Sequence, residues 1–164
     1  MSVQVFGLPV SRGVAIGRAV LVASSRVDVA HYFIAADQVE AEVTRLHLAR
    51  DVVSVEIETL KNELPDDAPH ELAALLDVHQ MLLHDEDSLT KPTREWIEDR
   101  HYNAEWALSA QLEVLARQFD EMEDEYLRER KADIEQVVER VLRALARGNG
   151  AQHDPTLSAR DFAG

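Results

Sequence analysis

The stretch VEAEVTRLHLARDVVSVEIETLKNEL, residues 39–64, has the pattern of a long amphipathic helix. Its apolar side chains recur at spacings of three and four residues, which places them on one face of a helix. This apolar stripe consists of Val39, Val43, Leu46, Val53, Ile57, Leu60 and Leu64, and only Arg50 interrupts it. We expect a helix of about seven turns, with Asp37 as its N-cap and Pro65 at its end.

Four further helical segments are expected downstream. The second covers residues 71–84, and the third begins at the acidic run 85–88 and has Pro92 in its first turn, where proline is tolerated. Asn103 is the expected N-cap of the fourth, and the fifth covers residues 124–147 and ends at Gly148. No helix repeats another in sequence, so the pattern favours a bundle over a solenoid. The predicted fold is mainly α, a bundle of long antiparallel helices.

Glycine and charge divide the 164 residues in the same way. All six glycines lie near the two ends, and residues 18–147 contain none. The few charges outside that central stretch cancel, so the centre carries the whole formal charge of −14. The two ends therefore differ from the helical centre. Residues 14–22 are small and β-branched, which is typical of a buried strand.

Composition excludes several classes of protein. The absence of cysteine excludes disulfides, thiolate metal sites and a cysteine nucleophile. No apolar run is long enough to span a membrane, and the N-terminus lacks the basic region of a signal peptide, so we expect a cytoplasmic protein. The charge of −14 argues against nucleic acid and anionic membranes as partners and favours a basic protein.

Catalytic patterns are not found in the sequence. The seven histidines are scattered, and none belongs to a His-Glu-x-x-His pattern. The single Glu-x-x-His spacing, Glu98 to His101, lacks the second copy that a di-iron bundle requires. We therefore expect no catalytic residue and no metal site. Two regions carry more polar side chains than packing requires: residues 82–87, where an apolar run changes into acids, and residues 124–134, at a helix N-terminus. Both are candidates for a docking surface.

Four stretches stand out by their order and spacing. They are GLPVSRGVAIG at residues 7–17, ADQVEAEV at residues 36–43, HQMLLHDE at residues 79–86 and DEYLRERKADI at residues 124–134. In these motifs the chain resembles the N-terminal region of Enzyme I, the phosphoenolpyruvate–protein phosphotransferase of the bacterial phosphotransferase system. The resemblance extends from residue 5 to about residue 147, and the fourth motif is the most specific.

This resemblance implies a domain organisation. In that family an all-α domain, which docks the small phosphocarrier protein HPr, interrupts an α/β phosphohistidine domain. Residues 1–24 would be the opening strands of an incomplete α/β domain, and residues 30–147 the all-α HPr-binding domain. Residues 148–164 would be a linker that returns to the α/β domain.

The resemblance also implies which residues dock HPr. They are Glu71, Met81, Leu82, Glu86 and Asp87 from the second and third helical segments, with Leu127 and Arg130 from the last helix. An apolar centre supplies contact area, and a rim of acids steers a basic partner. The implied function is docking of HPr for phosphoryl transfer in sugar transport.

The chain departs from the family at the chemical step. The family's phosphate-accepting histidine lies in Gly-Gly-x-x-Ser-His beyond the last helix, and this sequence does not contain that motif. We therefore expect a fragment or truncated product of a transferase that phosphorylates a protein histidine, inactive alone. No cofactor is expected here, because phosphoenolpyruvate and Mg²⁺ would bind in the missing C-terminal part. The fragment should be monomeric, since the family dimerises through that part.

Two alternative interpretations remain open. In the first alternative, the parent is a different phosphoenolpyruvate-utilising enzyme, such as a nitrogen-branch paralogue or a relative of pyruvate phosphate dikinase. The chain is also compatible with a non-catalytic acidic helical bundle that self-associates through the stripe of residues 39–64.

Overall fold

A computed structural model describes residues 29–152 of the chain. Its helices are α1 (Val39–Asn62), α2 (His70–Leu83), α3 (Lys91–Arg100), α4 (Ala104–Asp120) and α5 (Glu125–Gln152). A 3₁₀ turn, Ala36–Gln38, precedes α1, and a π turn, Glu86–Thr90, leads into α3. The predicted helical bundle is confirmed. The strands expected in residues 1–24 and the tail from residue 153 lie outside the described residues, and the domain boundaries stay predictions.

The helices pack both against their neighbours in the sequence and against helices farther along the chain. Two ion pairs show that α1 and α2 run antiparallel. Lys61 lies 2.6 Å from Asp77 near the turn that joins the two helices, and Arg50 lies 3.1 Å from Glu86 just beyond the far end of α2. The most extensive contacts join α4 with α5, α1 with α5 and α3 with α4, and α5 also packs against α2. This arrangement leaves the outer side of α2 facing solvent.

The core follows the predicted stripe of α1 and extends it. Leu46, Val53 and Ile57 are buried, and Ala49 joins them, whereas Leu60 in the last turn is exposed. The facing helices contribute the other buried side chains, among them Leu76, Leu83, Ile97, Leu108, Leu115, Val137, Val138, Val141 and Leu145. Full burial of one such aliphatic side chain contributes about 1.5–3 kcal/mol, so the stability of the bundle rests on this seam.

The start of α1 differs from the prediction. Asp37 is not the N-cap, because it lies inside the 3₁₀ turn that precedes the helix. Ala35 is the extended residue before that turn, and its backbone N–H donates to the side-chain oxygen of Gln38 at 3.1 Å. The Gln38 side chain thus reaches back to the N–H of the residue before the turn, as the glutamine of a capping box does.

The start of α4 is capped from another helix. Asn103 occupies the predicted N-cap position, but its side chain does not cap the helix. Instead it donates to the carbonyl oxygen of Ala30 at 2.8 Å and accepts from the N–H of Tyr32 at 3.2 Å. The first N–H of α4, from Ala104, donates to the carboxylate of Glu42 in α1 at 2.6 Å. The segment before α1, the start of α4 and α1 itself are thus joined.

The end of α5 also differs from the prediction. The helix does not end at Gly148 but continues to Gln152. Asn149 donates to the buried carboxylate of Glu105 at 3.0 Å, and that carboxylate also pairs with Arg45. Burial alone would lower the pKa of the Arg45 guanidinium, but Glu105 and Glu42 raise it above its ordinary value. This charged cluster holds the last turns of α5 beyond the glycine.

Candidate functional site

The outer face of α2 carries the first group of predicted docking residues. Glu71, Leu75, Val78 and Leu82 follow one another at spacings of four, three and four residues, so they form one row along the helix. Met81 belongs to the neighbouring row and is 63% exposed. Leu75 is also exposed, and Val78 and Leu82 are half-buried. We call Leu75, Val78, Met81 and Leu82 the α2 strip.

The π turn places two predicted acids beyond the end of the α2 strip. Asp85 precedes the turn in an extended conformation, and its carboxylate accepts from the N–H of Ser88 at 2.9 Å. This hydrogen bond caps the start of the π turn. Glu86 and Asp87 are exposed in the first half of the turn, whereas Leu89 near its end is buried. The turn therefore anchors its apolar end in the core and presents its acidic end to solvent.

The first turns of α5 hold the remaining predicted residues. Leu127 lies in the first turn of the helix. Arg130 donates to the hydroxyl oxygen of Tyr126 at 3.0 Å, and its guanidinium carbon lies 5.5 Å from the centre of the Tyr126 ring. A cation over an aromatic face is a favourable contact, so Tyr126 holds Arg130 at the surface.

A buried histidine joins α2 to α5 beneath this surface. His79 is 1% exposed, and its Nε2 lies 3.7 Å from a carboxylate oxygen of Asp133. Within the described part of the chain neither ring nitrogen has a hydrogen-bond partner. Burial lowers the pKa of the His79 imidazole, and the positive charge of Arg140 lowers it further, against the attraction of Asp133. The imidazole is therefore neutral at neutral pH.

Arg50 connects α1 to the acidic end of the site. Its side chain is 20% exposed, although it interrupts the apolar stripe of α1. The guanidinium donates to Glu86 at 3.1 Å and to Asp51 at 3.3 Å. One of the two acids of the π turn is thus paired within the protein, whereas Asp87 forms no ion pair with any described residue.

The structure brings most of the predicted residues onto one side of the bundle. Glu71, Met81 and Leu82 lie on the outer half of α2, and the π turn continues this surface with Glu86 and Asp87. Arg130 lies one helical turn before Asp133, the residue that meets α2, so it borders the same surface. Their role as a docking site stays a prediction.

Sequence reasoning missed three features of the site. His79 stands in the row Leu72, Leu76, His79, Leu83, and this core spacing was the signal that it is buried. The break in the α1 stripe was the signal for Arg50. The i, i+4 spacing of Tyr126 and Arg130 in the predicted fifth helix was the signal for their contact.

The site has the composition of a binding surface. Among residues 29–152, no three His, Asp or Glu side chains are grouped so that they could hold a metal ion, so the described residues do not fit a Mg²⁺ site. No helix in the same range is both long and apolar enough to cross a membrane. An exposed apolar strip bordered by carboxylates is the arrangement found at protein interfaces.

Comparison with known proteins gives one consistent family. A family model described as "PEP-utilising enzyme, N-terminal" matches residues 6–130. A phosphoenolpyruvate-protein phosphotransferase of Cupriavidus necator is 59% identical over 146 residues, which are 89% of this chain and 25% of that protein. The Listeria innocua protein of the same name is 34% identical over 142 residues, 87% of this chain and 24% of the relative. The chain thus spans about a quarter of the length of these relatives.

A solved structure has the same fold. The solution structure of the Enzyme I protein nEIt, determined by NMR, superposes with a TM-score of 0.68 at 27% sequence identity. The match covers 74% of this chain and 48% of that one. The likeness therefore includes most of the helices described above.

Proposed function

The chain belongs to the PEP-utilising enzymes, of which it carries the N-terminal region, and from this premise we propose that it is the HPr-docking part of a phosphoenolpyruvate–protein phosphotransferase. The observation that carries the proposal is the α2 strip, exposed along α2 and continued by Glu86 and Asp87 of the π turn. The strip supplies an apolar centre, and the acids supply a charged rim on one side.

The charge of the chain supports a basic partner. The formal net charge is −14, and all of it falls on the helical part of the sequence. A negative field of this size attracts a basic protein and accelerates its encounter at low salt. The same field opposes self-association of two identical bundles, so a complex with a different, basic protein is the better supported assembly.

Docking and chemistry are divided between parts of the whole enzyme. In the proposed reaction a phosphoryl group leaves phosphoenolpyruvate for a histidine nitrogen outside this chain and passes from there to HPr. The helical part holds HPr so that the two reacting groups meet in a fixed geometry, which is a large entropic advantage. His79 does not take the phosphoryl group in this scheme, because it is buried beneath the surface.

Calorimetric titration of the 164-residue chain with HPr tests the proposal. We expect one-to-one binding that weakens strongly when salt rises from about 0.05 M to about 0.5 M, because screening shortens the reach of the acids. Incubation with labelled phosphoenolpyruvate should leave no phosphate on the chain. Label that is stable in base and labile in acid on a histidine of this chain would contradict the division of labour.

Two further readouts separate the alternatives. Titration with HPr of the sugar branch and with its nitrogen-branch counterpart shows which branch the chain serves, since the branch with the tighter complex is the partner. Light scattering of the chain alone, over a range of concentrations, tests the self-associating bundle. A mass that stays at 18.5 kDa as concentration rises, together with HPr binding, excludes that alternative.

A further inference from the structure

Arg50 is an unusual residue for its position. It stands in the α1 stripe, where the neighbouring positions Leu46 and Val53 are buried apolar residues. Its side chain is nonetheless mostly covered, and it lines a small cavity together with Leu83 and Leu89. Arginine commonly packs its stem against apolar surface and keeps its charged end at the water. The guanidinium of Arg50 emerges at the edge of the α2 and π-turn surface.

The π turn fixes Glu86 in front of this guanidinium. The backbone carbonyl of Glu86 accepts from the N–H of Lys91, five residues downstream, which closes the turn. The side chain then lies within 3.1 Å of Arg50, while Asp51 holds the other side of the guanidinium at 3.3 Å. One cation therefore sits between two carboxylates, and each of these acids is 61% exposed.

The two acids of the π turn are consequently not equivalent. Glu86 meets a positive charge inside the protein, whereas Asp87, the next residue, forms no ion pair among the described residues. An exposed ion pair is weak, because water and salt screen it. A basic side chain of a partner can therefore compete with Arg50 for Glu86. Pairing with Glu86 contributes less binding free energy than pairing with Asp87, because the contact between Arg50 and Glu86 is lost.

We infer that Arg50 is a specificity-determining residue of the docking site: it competes with a basic side chain of the partner for the Glu86 carboxylate and so limits how tightly the site binds a cationic protein. This inference rests on the proposed function, since it assigns a role within the same site. Arg50 touches no reacting group and acts only through Glu86.

The test compares Arg50→Met with a control that has the same change of charge. Methionine keeps an apolar stem and helix propensity but removes the cation. We expect Arg50→Met to bind HPr about three- to tenfold more tightly at low salt, mainly through faster association. Arg143→Met on α5, which breaks an exposed pair with Glu139, should change affinity by less than about twofold.

Substitutions of the two acids, in the wild type and in the Arg50→Met background, test the same inference. Asp87→Asn should weaken HPr binding more than Glu86→Gln, and Glu86→Gln should weaken it more strongly in the Arg50→Met background than in the wild type. Equal effects of Asp87→Asn and Glu86→Gln would overturn the inference, as would unchanged or weaker binding by folded Arg50→Met. If neither the wild type nor Arg50→Met binds HPr, the proposed function fails and this inference fails with it. If the wild type binds HPr and Arg50→Met binds it no more tightly, this inference is overturned and the proposed function is not.

Discussion

The imidazole Nε2 of His79 in α2 lies 3.7 Å from a carboxylate oxygen of Asp133 in α5, directly beneath the surface formed by α2 and the π turn. The pair is buried on the histidine side and half-buried on the aspartate side. The surface that we propose to dock HPr is therefore supported by a titratable group. Burial opposes protonation of His79 in the folded chain, so acid is expected to destabilise the bundle at this point.

The first prediction concerns the pH dependence of stability. Burial lowers the pKa of His79 in the folded protein, so the unfolded chain binds the proton more tightly, with a pKa of about 6.5. The contribution of His79 is therefore fully present above that pH and declines as the pH falls through it. Relative to His79→Gln, the wild type should lose up to about 1.4 kcal/mol of unfolding free energy for each pH unit below the unfolded pKa. The loss ends when the pH reaches the pKa of His79 in the folded protein.

Urea unfolding of both proteins at about pH 7.5 and about pH 5.5 measures this difference. The other six histidines and all carboxylates are common to the two proteins, so their titration cancels in the comparison. Identical pH dependence of the wild type and His79→Gln would contradict the assigned pKa direction.

The second prediction concerns the cap that α1 supplies to α4. Glu42 accepts the N–H of Ala104 at 2.6 Å and is mostly covered. Glu42→Ala leaves that N–H without its partner and should cost about 1–2 kcal/mol of unfolding free energy. Glu40→Ala, an exposed acid of the same helix, is the matched control and should cost less than about 0.5 kcal/mol. Chemical denaturation of both variants measures the loss of unfolding free energy. Equal losses in the two variants would show that the cap contributes nothing.

The third prediction concerns electrostatic steering. Replacing both Glu86 and Asp87 by Lys should slow association with HPr at least about tenfold at low salt and flatten its salt dependence. Helix content should not change, because both side chains are exposed. Replacing Glu113 and Glu135, exposed acids of α4 and α5, makes the same change in net charge elsewhere. Stopped-flow association rates for the two double variants separate a local effect from one of total charge.

The fourth prediction concerns the apolar centre of the site. Met81→Ala removes an exposed side chain from the α2 strip and should weaken HPr binding about tenfold, through a faster dissociation rate. Leu48→Ala on α1 is the control, since Leu48 is 61% exposed and Met81 is 63% exposed. Surface plasmon resonance gives both rates. Equal effects of the two substitutions would show that contact with HPr is not centred on α2.

The helices were predictable because their signals are local. The spacing of apolar residues in α1, the proline before α2 and the acidic run before the π turn all act within a few residues of the chain. Two features were mispredicted because a distant residue decided them. Gly148 is a favourable helix end by itself, but Asn149 is bonded to Glu105, 44 residues away, and the helix continues. Asn103 was assigned a capping role that Glu42 fulfils from another helix.

The positions of the candidate docking residues in the bundle were predictable in part, and their role in docking stays a prediction. The motifs point to the outer face of α2 and to the acids after it, and the structure places these residues on one side of the bundle. The pairing of Arg50 with Glu86 spans 36 residues and depends on how α1 and α2 pack, so no local pattern contains it. The same holds for His79 and Asp133, whose distance is set by the packing of α2 on α5.

The most direct test of the docking site is a chemical-shift titration of the ¹⁵N-labelled chain with unlabelled HPr at low salt. Residues Met81, Leu82, Glu86 and Asp87 should show the largest amide shifts, with smaller ones at Glu71, Leu127 and Arg130. Amides on the far side of the bundle, such as that of Glu113, should stay unchanged. Saturable shifts centred on α2 and the π turn are the expected result. The absence of shifts there, or their concentration on α3 and α4, would contradict the proposed HPr docking function.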